Sequence, residues 1–148
     1  MKRLFLIAAL SVTTLFSLTA AATTGKDNPA VLQSFQNNFA AAQDVQWHIT
    51  EDLYKATFTY NGQVVSAFYS PSGEQLALSR NITSAQLPLA LQTGLKKQYG
   101  QYWISDLFEM TDNGGLSYYV TLENGSNKIV LKSEGSFNWA TFQKTKKA

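Results

Sequence analysis

The sequence predicts an α+β fold of two tandem repeats, each one helix plus a four-stranded antiparallel sheet, and three observations predict it. Apolar residues recur at four-residue spacing in two stretches, Val31, Phe35 and Phe39 and then Leu87, Leu91, Leu95 and Tyr99, the stripe of an amphipathic helix. Strict alternation flanks Asn61-Gly62 and returns around Asn124-Gly125; Asn-Gly favours a tight hairpin because both central residues take φ > 0. The anchors also repeat: Leu95 and Tyr99 answer Phe35 and Phe39, Asn124-Gly125 answers Asn61-Gly62, and Gly135 answers Gly73, each about sixty residues on. The offsets differ in parity, so facing does not transfer from one repeat to the other residue by residue.

The chain begins with Lys2 and Arg3, an uncharged, mostly apolar run from Leu4 to Leu18, and then Ala20-Ala21-Ala22. That order describes a secretory signal peptide over residues 1–22, with the working domain over 23–148 and a periplasmic or secreted location. The run is shorter than the ~20 residues of a bilayer span and is diluted by Ser11, Thr13, Thr14 and Ser17, so no stable membrane span is expected once the signal is removed.

Repeat one is expected over about 28–80. Asn28 is a suitable N-cap and Pro29 suits the first helical position, with the helix ending near Ala42-Gln43. Val45, Trp47 and Ile49 alternate with polar neighbours as a first strand. Tyr54 to Tyr69 reads as two strands folded back at Asn61-Gly62, Pro71-Ser72-Gly73 as a turn, and Gln75 to Ser79 as a fourth strand. Repeat two is expected over about 84–143. Leu87-Pro88 opens its helix, and Gly100 stops it as a C′ residue with φ > 0. Trp103 to Met110 is a strand whose faces Leu107-Phe108 leaves unassigned. The hairpin around Asn124-Gly125 and a last strand over Ser136 to Phe142 follow.

Composition excludes more chemistry than it offers. With no cysteine and His48 as the single histidine, nitrogen or sulfur metal clusters, cysteine nucleophiles and disulfides are ruled out. No G-x-S-x-G elbow surrounds any serine, no glycine-rich loop cradles a phosphate, and Asp112-Asn113-Gly114-Gly115 lacks the remaining ligands of a calcium loop. The expectation is a protein that is not an enzyme and carries no cofactor. Lys and Arg number 12 against 10 Asp and Glu, and loss of Lys2 and Arg3 with the signal leaves the charge balanced. A near-neutral chain is a poor nucleic-acid binder, because that affinity comes from phosphate neutralisation. What remains is aromatic: nine Phe, seven Tyr and three Trp, most at core spacing. Phe68 and Tyr119 alternate opposite to their apolar neighbours and are candidate anchors on an open sheet face.

Phe35 and Phe39, Val45-Gln46-Trp47, Tyr54-x-Ala56-x-Phe58 with Asn61-Gly62, Ala67-x-Tyr69-x-x-x-Gly73, and Ile82 with Leu87-Pro88 together resemble the bacterial PepSY-like domain, also described as beta-lactamase-inhibitor-like. The resemblance covers nearly all of the chain after the signal. It implies a tandem helix-plus-sheet fold like that of the beta-lactamase inhibitor protein, with a concave sheet surface available for binding. The chain departs from that inhibitor in having no cysteine and short loops. The resemblance therefore implies a fold and a surface, and not inhibition of a beta-lactamase.

Two functions follow as expectations. The first is an exported binding module that recognises a protein or cell-envelope component through an open sheet face lined by Lys55, Thr57, Thr59, Phe68 and Tyr119, with Phe68 and Tyr119 as anchors. The alternative is a periplasmic carrier of a small apolar ligand held in a pocket between helix and sheet.

Overall fold

Residues 28–148 are described by the computed structural model, so the expected signal peptide lies outside the described residues. The first helix, α1 (Pro29–Asn38), starts where the sequence places it: the Asn28 side chain accepts from the Val31 amide at 3.3 Å and Pro29 occupies the first turn. It stops short of Ala42, because Phe39 leaves the helical conformation while its amide still donates to the Phe35 carbonyl. Its buried stripe is Val31 and Phe35. The helix is fastened to the sheet by a turn: Asn28 Nδ2 donates to the Pro71 carbonyl at 2.8 Å and Ser34 Oγ to the Gly73 carbonyl at 2.7 Å. Gly73 has φ +86°, and a Cβ there would lie 2.7 Å from the Ala30 oxygen, so both conformation and clearance demand glycine.

Eight strands follow: β1 (Gln43–Ile49), β2 (Tyr54–Tyr60), β3 (Gln63–Tyr69), β4 (Gln75–Asn81), β5 (Trp103–Asp112), β6 (Gly115–Glu123), β7 (Asn127–Glu134) and β8 (Asn138–Lys146). The β2–β3 hairpin turns on Asn61 (φ 50°) and Gly62 (φ 77°), the conformation predicted for that dipeptide. Between β4 and β5 a 3₁₀ turn (Ser84–Gln86), capped reciprocally by Thr83 and Gln86, leads into α2 (Leu89–Tyr99). Gly100 has φ −60° and is not the left-handed stop the sequence predicts. The chain instead tightens into a turn in which the Tyr102 amide donates to the Tyr99 carbonyl at 2.9 Å.

The fold class needs correction. The strands form one eight-stranded antiparallel sheet in sequence order, β1 to β8, and the described residues are mostly β with two helices, not two repeats each with its own four-stranded sheet. The join is the pairing of β4 with β5, from Ala77 opposite Asp112 to Asn81 opposite Phe108. An unpaired β4 and an unpaired β5 would each expose a row of backbone donors and acceptors, and pairing them satisfies both. On this seam Arg80 Nε donates to the Glu109 carboxylate. Periodicity within a segment reports its faces and says nothing of which distant strand lies beside it.

Register carries one facing across all eight strands. Ala56, Phe58, Val65, Ala67, Tyr69 and Leu78 point to the side on which α1 lies, and Leu107, Val120, Leu122, Ile129 and Leu131 to the side on which α2 lies. Leu78 opposite Thr111 and Leu107 opposite Val120 show that these are the same side. Under α1 the core is aromatic: Phe35 meets Trp47 and Phe58 edge-on with centroids at 5.2 and 5.0 Å. Phe58 is 2% exposed, although Tyr69 is enclosed more completely. Under α2 the core is aliphatic, closed by Trp139, whose Nε1 donates to the Leu91 carbonyl at 2.9 Å.

Candidate functional site

A third cluster of buried residues lies on the opposite side of the sheet, away from both helices: Leu53, Phe68, Ala77, Met110, Tyr119 and Val130, with Leu76 and Phe108 packed against it. Lys55, Thr57 and Thr59 alternate in β2 with the core residues Ala56 and Phe58 and so face this way. Lys55 stands opposite Phe68, its Nζ 5.5 Å from the ring centroid. Thr57 stands opposite Ser66, their hydroxyls 3.1 Å apart, and Thr59 opposite Val64. Tyr119 stacks on Phe108 at 5.1 Å with 10° between planes, takes Phe142 edge-on at 5.8 Å, and carries Lys132 Nζ 5.4 Å above its ring.

The structure thus brings Lys55, Phe68 and Tyr119 to one cluster, with Thr57 beside it and Thr59 farther along β2, outside it. Phe68 and Tyr119 are 2% and 5% exposed, so they form the floor of the face rather than protruding from it. Amines and hydroxyls are the groups presented outward. Lys132, Phe108 and Met110 complete the floor and escaped the sequence reading. Phe108 was hidden because the register slips between Ile104 and Asp106, which breaks the alternation that would have assigned it. Lys132 was legible: counting back from the Asn124 turn sets it opposite Tyr119.

Lys55 in β2 and Asp106 in β5 lie on this face three strands apart. Partial burial lowers the Lys55 amine below its ordinary value, opposed by Asp106. Burial likewise raises the Asp106 carboxyl, opposed by the Leu107 amide, Lys128 and Lys55. At the rim, Lys147 Nζ lies 2.7 Å from Glu123 and holds that carboxyl low.

One open depression on the helix side, of about 260 Å³, is bounded by Phe39, Tyr60, Val65 and Leu78 and by the Arg80–Glu109 pair; another, of about 320 Å³, lies between Asn81–Ser84 and Ile104–Leu107. Among the described residues no three His, Asp or Glu side chains gather as a metal site would require, and His48 stands exposed opposite Lys55. No described helix is long and apolar enough to cross a membrane.

No protein-family model matches the sequence, and no curated protein matches it. Solved structures do match in fold. A BLIP-like protein from Bacteroides fragilis NCTC 9343 is 18% identical with TM-score 0.63, covering 79% of this chain and 84% of its own. A DUF2874 family protein from Bacteroides uniformis ATCC 8492 is 14% identical with TM-score 0.70, over 80% and 88%. A protein from Bacteroides eggerthii DSM 20697, provisionally described as periplasmic, is 11% identical with TM-score 0.71, over 80% and 87%. The chain therefore has a beta-lactamase-inhibitor-like fold, the part of the family resemblance that these structures support.

Proposed function

We propose that this chain is an exported, non-enzymatic binding module that works in the periplasm or outside the cell and recognises a protein or envelope component through the helix-free face of its sheet. The observation that carries this reading is the third cluster. Phe68 and Tyr119 are buried on a face that no described helix covers, beneath Lys55 and Lys132 and beside hydroxyls of β2 and β3. Such a surface combines a rigid aromatic floor with polar groups that set register, the composition of a recognition patch. The similarity of fold to structures described as BLIP-like and as provisionally periplasmic supports the reading without supplying a partner. The packing leaves less room for the carrier alternative, since Val31, Ala67, Tyr69, Leu91 and Leu131, at the helix–sheet interfaces, have no exposed surface.

Bulky additions on the open face test it without touching a core. Thr57→Trp and Ser66→Trp are expected to abolish retention of whatever the tagged protein holds in its native envelope, while Lys97→Glu on the outer surface of α2 leaves retention intact. Retention that survives both tryptophan variants would move the site elsewhere.

A further inference from the structure

Among the described residues three lysines stand over aromatic rings, Lys55 and Lys132 on strands and Lys147 just beyond β8, and Lys147 shows what completes the arrangement. Lys147 Nζ lies 4.8 Å from the Trp103 ring and 2.7 Å from Glu123 Oε2, so ring, ammonium and carboxylate form a closed set. Trp103 and Glu123 are direct cross-strand partners. Lys55 over Phe68 and Lys132 over Tyr119 repeat the first two parts at 5.5 and 5.4 Å. Among the described residues neither meets a carboxylate within 4.0 Å, the reach at which Lys128 still touches Glu123. A ring orients an ammonium but returns only part of what water gave it, and a carboxylate returns the rest.

We infer that the open face takes an acidic polypeptide segment, whose carboxylates seat on Lys55 and Lys132 above the rings of Phe68 and Tyr119. This rests on the reading of that face as the binding surface and adds the chemistry of the partner. Lys55 is half-buried against the Phe68 ring and, among the described residues, has no carboxylate within salt-bridge distance, so a partner carboxylate can pair with it. A polypeptide fits better than a dense polyanion for two reasons. The two amines are single charges with hydroxyls beside them, Thr57 and Ser66 among these. The same face also bears Asp106, Asp112 and Glu123, which repel a continuous sheet of phosphates but leave room for isolated acids.

The test uses a display library of random short peptides selected on the full exported protein, with binding then measured by fluorescence anisotropy. The expected result is enrichment of Asp and Glu in the selected peptides, binding that weakens with salt, and a loss of about tenfold or more for Lys55→Gln and for Lys132→Gln. Lys97→Gln should bind as the parent does, and unchanged thermal melting of the variants excludes misfolding as the cause. Peptides that are no more acidic than the library, no selected peptide at all, or full affinity in the Lys55→Gln, Lys132→Gln double variant would each overturn the inference. So would vesicles of phosphatidylglycerol and phosphatidylcholine that bind through the same lysines when acidic peptides do not. If non-acidic peptides bind and Thr57→Trp displaces them, the inference falls and the face remains the site. If Thr57→Trp displaces nothing, both fall.

Discussion

The two faces of the sheet bury large side chains to the same degree and by different means. Phe58, on the side of the helices, and Phe68, on the other, are each 2% exposed. Phe58 is enclosed by carbon: the rings of Phe35 and Phe39 lie 5.0 and 4.8 Å away, both carried by α1 or its cap. Phe68 is enclosed by its neighbours on the sheet and by the chain of Lys55, whose amine ends above it. The difference teaches that equal fractional burial can rest on unlike cover: a packed helix is not lifted away by a partner, whereas a lysine side chain can turn aside.

The largest expected effects test this difference directly. Phe58→Ala should cost about 3–5 kcal/mol, since a sealed interface cannot collapse onto the space left behind. Phe68→Ala should cost about 1.5–3 kcal/mol, the transfer term alone, because water can enter from the open side. Urea denaturation of both variants measures the gap, and equal losses would mean that the open face is simply a second core. Gly73→Ala should follow, costing at least about 1 kcal/mol through its positive φ and the clash with Ala30. Because Gly73 fastens α1, that loss should leave binding on the other face unchanged, which titration with any selected ligand can check.

The smallest effect is a pH dependence confined to the open face. Asp106 has its carboxyl raised by burial, so its native form holds a proton more tightly than the unfolded chain does. Its contribution to stability is present below the ordinary value of 3.8 and is lost as pH rises through the elevated native value. Asp106→Asn should therefore match the parent in strong acid and become relatively more stable above that window. Glu123 works in the opposite sense: its carboxyl is lowered by Lys147, so its stabilisation is present above the ordinary value of 4.5 and lost as pH falls through the native one. Melting temperatures of Asp106→Asn and Glu123→Gln across the acid range should diverge from the parent in opposite directions.

Local features were legible in the sequence because they depend on neighbours along the chain. The cap at Asn28, the hairpin at Asn61-Gly62, the stripe of Val31 and Phe35, and the alternation that sets Lys55, Thr57 and Phe68 against Ala56 and Phe58 all follow from periods of 3.6 and 2. The pairing of β4 with β5 was not legible, since α2 intervenes and nothing in Gln75–Asn81 names its distant partner. Nor was the enclosure of Phe68 and Tyr119, which comes from side chains that five neighbouring strands and Leu53 bring together rather than from either strand. Gly100 misled for a related reason: glycine permits a left-handed stop without requiring one.

The most direct test of the central claim is site-specific photo-crosslinking in the protein's own envelope, with the photoreactive residue placed at Thr57 on the open face or at Lys97 on the outer surface of α2. The account predicts a discrete crosslinked product from position 57 that disappears when Ser66→Trp is added, and none from position 97. A product from position 97 alone would contradict it and place recognition on the helices.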